Sequence, residues 1–240
     1  MLLGDDSLLM SQRLQLWLTR LPELEEETAV ANIALDLLGQ ARMLLARAGA
    51  ADGSGRSDDD LAFRRPAAQF RHVRLVEAED RDFADLMTRL LVFSLWRLAT
   101  CRGLSASTDP VLAAISGKAV KELSYHVEHA AAWVQRLGDG TPESRDRVLA
   151  ALDRWWPVVG ELFVDGDVVC RLPGVAIGFA TVQEPVVAAI RQVLSEAGLT
   201  VADPAPTAED GRDHADPSPE LVDVVTTMQS VARALPGATW

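Results

Sequence analysis

The sequence is short of positive charge. Its 23 lysines and arginines stand against 35 acids, a net charge of −12. Binding a phosphate backbone takes a basic face that displaces counterions, so nucleic acid is not an expected partner. Cysteine is scarce too. Cys101 and Cys170 lie in apolar surroundings without C-x-x-C spacing, so there is no disulfide framework and both read as core thiols in a reducing compartment. No uninterrupted run of about 18 apolar residues is present. The N-terminus, Met1-Leu2-Leu3-Gly4-Asp5-Asp6, carries acid where an export signal needs a basic start. Neither a membrane nor secretion is expected, and the expected location is the cytoplasm. The alternating Val, Ile, Thr and Tyr runs that mark strands are nearly absent as well.

Helical periodicity fills the space left by these absences. With 48% hydrophobic residues in 240, the chain can bury a full core, and a single all-α domain spanning 1–240 is expected. A first helix covers roughly 3–20, ending ahead of Pro22, and a second runs to about Ala48 with the apolar stripe Val30, Ile33, Leu37, Ala41, Leu44. Acids Glu23, Glu25, Glu26 and Glu27 open that helix and Arg42 and Arg47 lie near its end, as the helix dipole favours. The Gly/Ser/Asp-rich stretch 49–60 reads as a flexible loop. A third helix covers about 81–102, with Arg97 the odd member of the apolar line Phe83, Leu86, Leu90, Phe93, Cys101. A fourth covers about 110–137, with Asp109 as N-cap, Pro110 in the first turn and Gly138 as its stop. These four long segments make a four-helix bundle of about 3–138, and further helices at about 142–163, 183–197 and 219–235 form a C-terminal extension. The proline- and acid-rich stretch 200–217 between the last two reads as a loop.

A carboxylate-bridged di-iron bundle is the chemistry such a plan invites. It needs a Glu from each of two helices and Glu-x-x-His from each of the other two, because i and i+3 project toward one metal pair. The residues three before His72, His126, His129 and His214 are Gln69, Leu123, His126 and Gly211, so acid-x-x-His is missing throughout. The nearest approach is Glu122-Leu-Ser-Tyr125-His126, where Tyr125 stands in a histidine ligand's position. At about 100° per residue His126 falls on the apolar stripe of Leu112, Ile115, Ala119, Leu123 and Ala130, with Glu122 roughly 60° from Ala119. The bland reading pairs Glu122 with His126 and brings Arg97 across from the third helix; the alternative is a metal site on Glu122, His126 and His129. Arg97 weighs against metal, since a permanent cation can take its electrostatic place opposite Glu122 or Asp36. In Asp36-Leu-Leu-Gly39 the residue three on from the acid cannot ligate; Gly39 reads as a close-packing glycine.

No catalytic residue emerges elsewhere. There is no phosphate-binding glycine loop and no nucleophile elbow, and Ser195 and Cys101 lack an evident base. Trp155 and Trp156, with Trp17, Trp96, Trp133 and Trp240, read as core or interface anchors.

Two segments carry a resemblance: Gly4-Asp-Asp-Ser-Leu-Leu-Met-Ser-Gln-Arg13 and Ala31-Asn-Ile-Ala-Leu-Asp-Leu-Leu-Gly-Gln-Ala-Arg42. It continues through Asp60-Leu-Ala-Phe-Arg-Arg65, Leu75-Val-Glu77, Asp82-Phe-Ala84, Ala113-Ala-Ile-Ser116, Lys118-Ala-Val-Lys-Glu122 with Tyr125-His126, Met228-Gln229, Leu235-Pro-Gly237 and Trp240, thinning between Val164 and Pro217. The sequence resembles the C-subunit family of ring-1,2-phenylacetyl-CoA epoxidases. That resemblance implies a ferritin-like structural subunit with no cofactor of its own. Asp36, Arg97, Glu122, Tyr125 and His126 would then mark a degenerate di-iron region. The implied partner is a homologous catalytic subunit that carries the di-iron centre and binds the acyl-CoA, with a reductase acting indirectly, in aerobic phenylacetate degradation. A stand-alone ferritin-like metal-dependent oxidoreductase and a free-standing helical binding protein are the competing readings.

Overall fold

The computed structural model describes residues 1–206, 217–236 and 238. Arg212, His214, Gly237, Trp240 and most of the stretch 200–217 therefore lie outside the described residues. The fold is all-α and of ferritin-like helical type, with no strand among the described residues. Its helices are α1 (Leu2–Gln15), α2 (Leu24–Ala51), α3 (Asp58–Phe63), α4 (Phe83–Leu104), α5 (Pro110–Gly138), α6 (Pro142–Val159), α7 (Asp167–Arg171), α8 (Gln183–Glu196) and α9 (Pro219–Ala234). The chain forms two compact units, Met1–Glu79 with Gly211–Trp240, and Asp80–Asp210.

In the first unit α1 packs along α2 and touches α9, and α3 packs on both α2 and α9. The glycine that permits the α1–α2 approach is Gly4, where an added Cβ would stand 3.0 Å from Leu45 Cδ2 and 3.3 Å from Leu44 Cβ. Gly39, the glycine that helical spacing suggests for close packing, does not serve it, because a Cβ there meets nothing within 4 Å. Helix α1 stops at Gln15, five residues short of expectation: Trp17, Leu18 and Arg20 donate to carbonyls only three residues back, which tightens 16–20 into turns. The expected loop 49–60 is shorter than its composition suggests. Helix α2 runs on to Ala51, and Ser57 starts α3 with a capping box, its hydroxyl accepting from Asp60 N–H (3.0 Å) while Asp60 accepts from Ser57 N–H (3.0 Å).

In the second unit α4 is the central helix, packed against α5, α6 and α8. It is buried almost throughout, its charged residues Asp85, Arg89 and Arg97 included. Asp82 caps it, accepting from Asp85 N–H at 2.9 Å. Helix α5 is amphipathic and lays Ile115, Ala119, Leu123, His126, Ala130 and Val134 inward. Asp109 caps it as expected, accepting from the N–H groups of Val111 (3.0 Å) and Leu112 (3.1 Å). Gly138 is the last helical residue rather than a left-handed stop, and its role is space: an added Cβ would lie 2.8 Å from Ala197 Cβ. Helix α6 ends at Val159, after Pro157, and continues as a 3-10 turn over Gly160–Phe163.

Candidate functional site

The sequence-derived site residues fall in different places. Asp36 is half-buried on α2 of the first unit; Arg97, Glu122, Tyr125 and His126 belong to the second. There Arg97 and His126 are fully buried, and Cys101 nearly so. Burial pushes the Cys101 thiol up, opposed by the positive field of Arg97 and reinforced by the negative field of Glu122. The guanidinium of Arg97 also stands 5.9 Å from the Phe93 ring centre and 5.8 Å from that of Trp96, positions where an aromatic face attracts a cation.

Glu122 is less interior than its place on the helical wheel suggests. Its side chain keeps 15% of its exposure and forms an ion pair with Lys118 at 2.5 Å, one turn back on the same helix. Sequence reasoning looked across to Arg97 and missed this neighbour, although i,i+4 spacing is a standing signal for such a pair. Tyr125 is displaced further from its expected role. It is 49% exposed, on the outer side of α5, with its ring stacked on His129 at 6.1 Å and edge-on to His126 at 6.5 Å. A step of three residues from the half-buried Glu122 carries it outward, so it does not stand where a ligand would.

Glu122, His126 and His129 do not converge as a metal site, and among the described residues no group of three or more His, Cys, Asp or Glu is placed to hold one. Tryptophan contributes packing here. Trp155 is buried, donates its indole N–H to Asp85 O at 3.2 Å, and lies beneath the guanidinium groups of Arg154 (4.4 Å) and Arg89 (5.2 Å). Arg89 is completely buried and paired with Asp80. Burial lowers its affinity for the proton, while the Asp80 and Asp85 carboxylates oppose that loss.

A second buried polar network lies in the first unit, on residues to which the sequence pattern alone gives no role. Asp5 forms a buried ion pair with Arg65 (2.5 and 3.0 Å) and accepts from Arg71 N–H at 2.8 Å. Asp6 accepts from Val73 N–H at 2.9 Å. Arg65 further donates to Leu61 O and Gln69 O and lies 4.3 Å from the Phe70 ring centre. Arg13 donates to Glu77 O and to Glu220 O (2.9 Å), and His72 Nε2 meets Glu77 Oε1 at 2.8 Å. Gln229 on α9 donates to Ala62 O and Arg65 O, both at 2.9 Å. The signal available in the sequence is Asp5-Asp6 and Arg13 inside an otherwise leucine-rich helix, charges that burial obliges to find partners.

These features define an all-helical protein whose interior charge is engaged in ion pairs and backbone hydrogen bonds. The chain matches the family described as Phenylacetic acid catabolic protein over residues 1–240, and it belongs to that family. It is 38% identical over 242 residues to the C subunit of 1,2-phenylacetyl-CoA epoxidase from Escherichia coli (strain K12), an alignment covering 99% of this chain and 96% of that protein.

Proposed function

We propose that this chain is the non-catalytic structural subunit of a multicomponent phenylacetyl-CoA epoxidase. In this reading it pairs with, and stabilises, a homologous subunit that carries the di-iron centre and epoxidises the aromatic ring with O2, while a reductase feeds electrons to that partner. It holds no metal itself and works in the cytoplasm. The observation that carries the reading is Arg97, a guanidinium fully buried on α4, together with Glu122 on α5, whose carboxylate is engaged by Lys118. A di-iron pair brings several positive charges into one small volume and needs carboxylates free to ligate. A fixed cation repels those charges, and a carboxylate already paired is a poorer ligand. The residues of α4 and α5 thus do not fit the metal pair.

The test compares phenylacetyl-CoA-dependent turnover of wild-type and Glu122→Gln complexes at matched assembled concentration. Turnover should change no further than assembly does. A loss of about a hundredfold in intact complex corresponds to about 2.7 kcal/mol of transition-state stabilisation and would place chemistry in this chain. Iron analysis is the second readout. The purified chain, exposed anaerobically to Fe(II), should retain far less than one iron per chain; two per chain would favour the stand-alone oxidoreductase.

A further inference from the structure

Positive charge in this chain is almost all arginine. Its only lysines are Lys118 and Lys121, and its only tyrosine is Tyr125. All three lie on α5 within about 60° of one another, at about 100° per residue, and all three are exposed. The distinction between the two kinds of cation is chemical. A guanidinium stays protonated and has no lone pair to offer, whereas a lysine amine attacks electrophilic carbonyls once it has shed its proton. The nucleophilic side-chain amines are therefore confined to one patch of one helix, beside the only phenol ring.

The two lysines differ. Lys118 is held in an ion pair with Glu122 at 2.5 Å, and an ammonium so paired is in its unreactive form. Lys121 stands outside that pair and engages no carboxylate among the described residues. Tyr125 follows Lys121 by one turn, the spacing at which side chains on a helix meet. Its ring is stacked on His129, with 6.1 Å between centres and 28° between planes, and the residue is still 49% exposed, so an aromatic shelf lies open next to a free amine. Charge does not select what arrives there: Lys118 and Lys121 are matched by Glu122 and Glu128 at neighbouring positions, and the patch is close to neutral. What selects is the flat aromatic surface, which favours a planar ring laid against it.

We propose that Lys121 is an acylation site for arylacetyl thioesters, with the stacked Tyr125 and His129 rings as the shelf that holds the aryl group. The Lys121 amine attacks the thioester carbonyl carbon, a C–N bond replaces the C–S bond, and the carrier leaves as its thiol, taking the proton that the amine gives up; no oxidant or reductant enters. The product is an uncharged amide whose ring lies back over Tyr125. This rests on the subunit reading above, which is what brings phenylacetyl-CoA to the chain.

The experiment incubates the full chain with phenylacetyl-CoA or acetyl-CoA and locates the acyl group by peptide mass spectrometry, each rate divided by that of a free lysine derivative with the same thioester. Lys121 should be labelled about two- to fivefold faster than Lys118, the factor that an exposed ion pair is worth. At Lys121 phenylacetyl-CoA should outpace acetyl-CoA by about three- to tenfold, the factor of one aromatic stack. Tyr125→Ala should erase that preference and Tyr125→Phe should keep it, with circular dichroism unchanged in both. Glu122→Gln should raise the labelling of Lys118 and leave that of Lys121 as it was. Equal labelling of the two lysines, or an aryl preference that is absent or survives Tyr125→Ala, overturns the site and leaves the subunit reading standing. If the chain adds nothing to phenylacetyl-CoA turnover yet takes the label at Lys121 with this preference, the site stands and the subunit reading falls.

Discussion

The two units bury charge for different purposes. In the first, the carboxylates of Asp5 and Asp6 accept backbone N–H groups from Arg71 and Val73, and Arg13, Arg65 and Gln229 donate to backbone carbonyls. The residues served lie mostly in 61–77, which contains one end of a short helix and two 3-10 turns and has few repetitive hydrogen bonds of its own. Side chains there substitute for a helix's internal ladder. In the second unit the long helices satisfy their own backbones, and Arg97, Glu122 and His126 lie on regular helical faces. Charge between two regular helices is not needed to hold the backbone, so backbone hydrogen bonding does not account for it. Buried charge that holds irregular chain is therefore structural in a way that buried charge between self-sufficient helices is not.

The largest effect that separates the two should come from Asp5→Ala. It strands the Arg65 guanidinium inside the first unit and releases Arg71 N–H at the same time. The expected loss is about 3–5 kcal/mol in urea unfolding, the range for breaking one side of a buried pair. A loss below about 1 kcal/mol would mean that the segment is held by apolar packing through Phe70, Val73 and Leu75 instead. Arg97→Ala should cost less, about 1–3 kcal/mol, because Glu122 keeps Lys118 and some contact with water. Equal losses for the two variants would erase the distinction drawn between the units.

Much of this was legible in the sequence, because it depended on local spacing. The positions of the long helices, the Asp109 cap and the inward face of α5 around His126 all follow from periodicity and capping chemistry, which operate within a few residues. What was missed depended on distant segments. Nothing local reveals that Asp5 meets Arg65 or that Gln229 reaches Ala62, 60 and 167 residues away. Tyr125 was misplaced for a subtler reason: three residues turn a helix through about 300°, so a ligand-like spacing puts both side chains inside only when the first lies near the centre of the buried stripe. Glu122 lies at its edge.

A smaller effect, of opposite sign, concerns two helical glycines, Gly4 of α1 and Gly39 of α2. Only Gly4 has neighbours where its Cβ would be. Gly39→Ala should stabilise the free chain by about 0.5–1 kcal/mol, since alanine restricts the unfolded state and no atom resists it. Gly4→Ala should destabilise it, because Leu44 and Leu45 must move. Thermal melting of the two single variants decides the matter, and a loss of stability at Gly39 would show that the outer side of α2 is already covered in the free chain.

The smallest effect tests whether the contrast between the two units extends to the surface. Asp52, in the turn after α2, is exposed, and its carboxyl is lowered from 3.8 to about 2, first by its hydrogen bonds to Ser54 and only then by Arg56. The Ser54 N–H donates to it at 2.9 Å and Arg56 pairs with it at 2.7 Å. Because the folded carboxyl is the stronger acid, its contribution to stability is complete above about pH 4 and is lost as pH falls through about 2. In an NMR titration Ser54→Ala should move the Asp52 midpoint up toward 3.8 and Arg56→Ala should move it less. Added salt should erode the Arg56 share and spare that of Ser54, because screening acts on exposed ion pairs far more than on a short hydrogen bond within a turn. If Arg56→Ala proved the larger shift, the turn would be held by charge, and the rule drawn from the first unit, that hydrogen bonds from its own backbone are what its carboxylates serve, would stop at the protein's surface.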